Sequence, residues 1–236
     1  MFVDSIGLPD RSEEFDYLLS GAVIDDELDD SRLPFGIFPK TTLQKVQFSN
    51  ITLFCGGSCT PKNLLLDIIA GKLGLNTHDE HQKSSCFSDY LDLCYVKYTK
   101  LNVRNFDKVY VSRRMAFEYL EKNAYCFDNR EGLLQFFENK LKPRSLCILQ
   151  EPELSMSYSE LKSFVMLIND FVKYSGTQFL ISTNSPVIME IKDSLIYDFD
   201  DNIVIPKTWY YSPNARAYGE FFEKISKEHK VNHLEK

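Results

Sequence analysis

Residues 145–188 read SLCILQEPELSMSYSELKSFVMLINDFVKYSGTQFLISTNSPVI, and they decide the fold. The first six, 145–150, are a short, strongly apolar run of the kind a strand shows when both of its faces are buried. Residues 158–174 then read as a helix, which Ser175-Gly176 ends, and residues 177–182 form a second apolar strand. A short helix near Ile188 and a strand over 195–199 continue the alternation, and a last helix covers about 215–230. Strands that alternate with helices call for right-handed crossovers onto a largely parallel sheet, so the chain is predicted to be an α/β protein.

On the N-terminal side, residues 131–141 read as a helix that ends at Lys142-Pro143, because the residue before proline is driven out of helical geometry. A helix over 114–122, strands over 91–98 and 108–112, and an exposed polar loop over 76–88 precede it. Residues 43–57, LQKVQFSNITLFCGG, read as two strands parted by the turn signal Ser49-Asn50. A helix follows, with Leu64, Leu65, Ile68, Ile69 and Leu73 on one face and Gly71 and Gly74 weakening its end. Residues 1–42 are acidic, hold Pro34 and Pro39, and read as an N-terminal arm with little periodicity that forms one compact unit with the domain over 43–236.

The composition is that of an ordinary soluble globular chain: 236 residues, 44% hydrophobic, 26% charged, with only 10 Gly and 9 Pro. No apolar run approaches the roughly 20 residues that span a bilayer, and acids stand where a signal peptide needs basic residues. A cytoplasmic protein is expected. Its six cysteines lie mostly in apolar runs, where reduced cysteine packs as a small hydrophobe, so disulfides are not. A net charge of −7 opposes any global attraction to nucleic acid, which would need a local basic cluster. One exists in Lys97, Lys100, Arg104, Lys108, Arg113 and Arg114, against the single acid Asp107. It reads either as a solvated edge strand and helix start or as a face for phosphate or a partner.

The chemistry is expected where residues 50–70, NITLFCGGSCTPKNLLLDIIA, run from a strand through a glycine-containing loop into a lysine that opens a helix. That is the context of a phosphate-binding loop, G-x-x-x-x-G-K-[ST]. Its backbone N–H groups face phosphate, its lysine reaches the outer phosphates, and its hydroxyl holds magnesium. Here Gly56, Gly57 and Lys62 remain, Pro61 replaces the second glycine, and Asn63 replaces the hydroxyl residue. Pro61 deletes a backbone donor and restricts Thr60, so phosphate coordination should weaken. Lys62 could equally begin an amphipathic helix. Cys55 and Cys59 have a metal-like spacing without a second pair, and the pairs His78/His81 and His229/His233 lack a third ligand, so no metal site is expected.

Taken with L-Q-E-P-E at 149–153 and T-N-S-P at 183–186, the chain resembles the ATP-binding-cassette (ABC) ATPases of the SMC-like and overcoming-lysogeny group. Members read approximately L-x-I-L-D-E-P-E, then a helix, then a strand ending T-H-S-P, and the likeness covers about residues 43–205. The resemblance implies a P-loop NTPase-like sheet flanked by helices. It also implies roles: the Asp binds magnesium, the next Glu activates water, and the His senses the γ-phosphate. Gln150 stands at the Asp position, Glu151 at the Glu and Asn184 at the His, so only Glu151 survives. It reads either as a catalytic group or as the start of a turn and helix. The family's signature loop matches residues 128–131, where Asp128 and Arg130 are both unsuited to phosphate.

The resemblance therefore implies a pseudo-ATPase: a degenerate cassette domain with weak ATP binding at Gly56, Gly57, Lys62, Asn63, Gln150 and Asn184, and with doubtful magnesium binding. Such a domain would act as a structural or regulatory subunit of a protein complex, as a dimer or with another protein. The alternatives are an atypical ATPase using Lys62 and Glu151, and a nucleic-acid-associated subunit using the basic stretch 97–114.

Overall fold

The structure is a computed structural model, and it describes residues 1–20, 32–41, 43–75, 80–99, 106–123, 132–154, 156–201 and 203–234. A six-stranded sheet forms its centre, in the order β5 (Asp107–Val111), β6 (Ser145–Gln150), β7 (Gln178–Thr183), β3 (Ile51–Cys55), β8 (Leu195–Asp198) and β9 (Pro206–Lys207). All neighbours are parallel except β8 and β9. The apolar runs need cover on both faces, and they receive it. Phe54, Leu146, Ile148, Leu180 and Tyr197 face one core with α2 (Lys62–Lys72) and α3 (Ser85–Leu93). Leu53, Cys147, Leu149, Phe179 and Ile181 face the other with α5 (Leu133–Lys140), α6 (Tyr158–Ser175) and α7 (Pro186–Met189). Successive residues of one strand serve opposite cores, because side chains alternate across a strand.

The decisive β6–α6–β7 unit is built from local signals. Ser157 caps α6 in a reciprocal capping box with Glu160, and Gly176, at φ 64°, ends it in the left-handed conformation that glycine adopts without a steric penalty. Chain return then places Gln150 beside Ser182 in the parallel ladder.

Three sequence expectations need correction. The N-terminal residues are no aperiodic arm: β1 (Val3–Gly7) is the centre of a second, three-stranded antiparallel sheet between β2 (Lys45–Gln47) and β4 (Tyr95–Tyr98). Helix α1 (Arg11–Leu19) follows, with Asp10 and Glu13 closing a capping box. The apolar side of this sheet, Val3, Ile6 and Val46, joins the core beneath α2. Polar side chains of the large sheet complete the junction. The buried Gln178 amide accepts from Phe2 N and Val3 N (2.8 and 3.0 Å) and donates to Val3 O and Ser49 O (2.9 and 3.0 Å). Tyr197 bonds both N and O of Gln47. Second, the polar stretch 76–88 does not stay a loop where it is described, since Ser84 caps α3 and that helix occupies the start of the expected 91–98 strand. Third, β9 and its antiparallel pairing carry no periodicity in two residues and were not expected.

The described residues of the basic stretch are spread over three elements, a strand of each sheet and the helix that follows. Lys97 lies exposed on β4, the Lys108 ammonium donates to Leu73 O at 2.7 Å, and Arg114 pairs with Glu118 within α4 (Arg113–Asn123). Lys100 and Arg104 lie outside the described residues, as do His78 and the signature-loop residues Asp128 and Arg130. The five described cysteines are free, and no helix among the described residues is long and apolar enough to cross a membrane.

Candidate functional site

The carboxyl ends of β3, β6 and β7 meet at one edge, the usual ligand edge of such sheets. Strand β3 leaves through Gly56, at φ 141°, where an added Cβ would lie 3.0 Å from both Phe199 Cβ and Thr60 Oγ1. Glycine is required there by backbone conformation and by space. The loop closes on the Gly57 carbonyl, which accepts from Thr60 N (3.2 Å), Thr60 Oγ1 (2.7 Å) and Lys62 Nζ (3.1 Å). Pro61, just before α2, has no N–H to offer; its carbonyl accepts from Leu65 N at 2.9 Å, and no side chain caps the helix start.

Lys62 is only 1% exposed, and its ammonium lies 2.9 Å from Glu151 Oε1. Arg113 approaches the other Glu151 oxygen at 3.4 Å from a largely exposed position. Burial raises the Glu151 pKa, but the hydrogen bond and charge of Lys62, helped by Arg113, outweigh it and hold the carboxyl below its ordinary value. Its backbone is left-handed at φ 42°, and Glu151 N donates to Ser182 O and Ser182 Oγ.

The positions expected to bind magnesium are bonded to protein. Ser182 Oγ donates to Asn63 Oδ1 at 2.6 Å. The Gln150 amide donates to Asn63 O (3.1 Å) and to Asp67 Oδ1 (2.7 Å), and Tyr110 OH donates to the same Asp67 oxygen at 2.6 Å. At the position where the family's carboxylate would stand, Gln150 presents an amide N–H, and the carboxylate nearby, Asp67, is already bonded by that amide and by Tyr110. Asn63, Asp67, Gln150, Arg113 and Leu33 line an open cavity of about 460 Å³. On the β7 side, Asn184 N and Thr183 Oγ1 both donate to Glu153 Oε1 (2.6 and 2.8 Å), and Tyr218 OH donates to Asn184 O. Cys55 is buried, which pushes its thiol well above the ordinary value and opposes the thiolate a metal would need; its distant partner in spacing, Cys59, is exposed.

The structure thus brings Gly56, Gly57, Lys62, Asn63, Gln150 and Glu151 to one edge and hangs Asn184 beside it through Glu153. Sequence reasoning missed the roles of Asp67, Ser182, Glu153 and Asp200, the last of which accepts from Gly57 N. Asp67 follows Asn63 by one helical turn and was findable by that spacing. Glu153 stands in the L-Q-E-P-E run itself, while Ser182 and Asp200 have no local pattern. These residues do not fit nucleotide with magnesium: the lysine is bound to a carboxylate, and the metal positions are joined to each other through amide and hydroxyl groups.

Glu153 supplies a pH test. Burial raises its pKa against the lowering effect of the Asn184 and Thr183 bonds, and its Oε2 is buried with no partner among the described residues. A raised folded pKa gives stability that is fully present below the unfolded value and is lost as pH rises through the folded one. Glu153→Gln keeps an acceptor for both donors and cannot titrate. Urea melts should show the variant gaining on the wild type as pH rises above the ordinary carboxylate range. A difference that does not change with pH would refute this role.

No protein-family model and no curated protein sequence matches the chain. Among solved structures, it is similar to an SMC head domain from Thermotoga maritima, with 13% identity, a TM-score of 0.45, and coverage of 88% of this chain and 99% of the other. It is also similar to an SMC head bound to the C-winged helix domain of ScpA, with 12% identity, a TM-score of 0.42, and coverage of 70% and 92%. At that identity and similarity, neither assigns a nucleotide, an activity or a partner to this chain.

Proposed function

We propose that this chain is a cassette-type ATPase-like domain that works through binding, as a structural or regulatory subunit, and does not turn over ATP efficiently. The observation that carries the reading is the buried Lys62–Glu151 pair. It commits to one another the cation that would reach the outer phosphates and the carboxylate that would activate water. A carboxylate held below its normal pKa by two cations is a poor proton acceptor, and phosphoryl transfer depends almost wholly on positioned charge. The absence of a hydroxyl at Asn63 and of a carboxylate at Gln150 supports the same conclusion.

A protein is the expected partner class. Next to the site, Phe117 (59% exposed) and Leu154 (40% exposed) join Ala116 and Leu120 in an apolar groove of about 340 Å³. The alternative, an ATPase completed by groups from a partner, requires that partner to break the Lys62–Glu151 pair.

Purified protein is expected to bind ATP more weakly than about 1 μM, or −8 kcal/mol, with or without Mg²⁺. It should show no turnover approaching about 1 per second. Asn63→Ser with Gln150→Asp should add little, because groups that act as a unit are not restored in part. A wild-type rate in the ordinary enzyme range, abolished by Glu151→Gln, would overturn the proposal.

A further inference from the structure

The Gly57 N–H, at the mouth of the loop, donates to both carboxylate oxygens of Asp200, each at 3.0 Å. We propose that Asp200 is an internal anion seated on the phosphate-binding loop, so that the loop is a latent site for a phosphoryl anion which the chain's own carboxylate occupies. This deepens the proposed function and rests on it, since it explains how the loop of a non-hydrolysing cassette domain is satisfied.

Three observations support a built contact rather than a passing one. The turn after β8 seats directly on the loop, with Phe199 against Gly56 and Asp200 Oδ1 3.5 Å from where a Gly57 Cβ would lie. That turn is itself fixed. Asp198 Oδ1 accepts from Asp200 N at 3.1 Å, Ser212 Oγ donates to Asp198 Oδ2 at 2.5 Å, Phe199 N donates to Cys55 O at 2.8 Å, and Lys207 pairs with Asp201. Finally, the arrangement is doubled: Glu151 stands on the lysine just as Asp200 stands on the loop amide. Two carboxylates of the chain thus take the two kinds of donor that a phosphoryl group would use, a backbone N–H and an ammonium. An entering anion meets like charge at Asp200 and must displace it, which costs affinity twice.

The test uses the full chain and tripolyphosphate without metal, followed by calorimetry. Asp200→Ala is expected to bind about tenfold more tightly than the wild type, and Asp200→Asn, which keeps an acceptor but loses the charge, by an intermediate factor. Gains of less than about threefold in both variants, with melting temperatures unchanged, overturn the inference and leave the proposed function standing. Tight wild-type ATP binding with turnover instead removes the proposed function. Amide exchange of the wild type keeps the test open if the variants fail to fold. Protection of the Gly57 N–H is expected from its bond to Asp200, and exchange at the rate of an unprotected amide overturns the inference.

Discussion

Glu151→Gln is expected to destabilise the fold by about 3 kcal/mol, because it leaves the Lys62 ammonium buried without a countercharge. Lys62 is among the largest fully buried side chains, and its one other bond, to the Gly57 carbonyl, cannot neutralise it. Adding Lys62→Met to Glu151→Gln should recover most of the loss, since removing both members of a buried pair is often nearly neutral. The pair also gives an acid signature. The folded pKa of Glu151 is lowered, so its contribution is present above the unfolded value and fades as pH falls through the folded one. Urea unfolding of both single variants and the double variant measures the coupling. A catalytic glutamate in a hydrated site would show none of this. A Glu151→Gln protein as stable as the wild type would sink the structural reading of the pair.

Gln178→Leu should be nearly as costly, about 2–4 kcal/mol, although the new side chain is similar in size and apolar. Four bonds to Phe2, Val3 and Ser49 vanish together, and those at Val3 are buried. Leucine offers no acceptor or donor to replace them, and the small sheet keeps only the Tyr197–Gln47 bonds as a polar tie to the large one among the described residues. Equilibrium unfolding is the measurement, and a loss below about 1 kcal/mol would mean that water satisfies the orphaned groups.

The contrast between what was legible and what was not follows the reach of each signal. Strands β3, β6 and β7 and helices α2 and α6 were readable because burial on both faces, helical spacing and the turn at Gly176 are written in contiguous residues. Strand β1 was not. Val-Asp-Ser-Ile-Gly has no strong alternation, and what makes it a strand is pairing with Lys45–Gln47 and Tyr95–Tyr98. The site divides in the same way. Gly56, Gly57, Lys62, Gln150 and Glu151 were found because loops and strand ends keep their spacing. Among the partners that decide what those residues can do, Ser182 and Asp200 arrive from elsewhere in the chain and carry no motif, and Glu153, though inside L-Q-E-P-E, takes its role from Thr183 and Asn184. In the basic stretch 97–114, charges adjacent in sequence are carried by β4, β5 and α4, so nearness along the chain does not by itself say which of them share a face.

The attachment of β1 to Gln178 has a consequence for synthesis. Val3 precedes its Gln178 partner by 175 residues. At about 5–20 residues per second, the strand leaves the ribosome roughly 9–35 s before the amide that will hold it exists. Through that interval Val3 and Ile6 have no finished core to enter, and until β4 emerges at Tyr95–Tyr98 one edge of β1 can meet any extended chain nearby. Nascent copies on one message are therefore most exposed to wrong pairing at β1, and a chaperone that shields this strand during elongation would raise the yield of folded protein more than one acting after release.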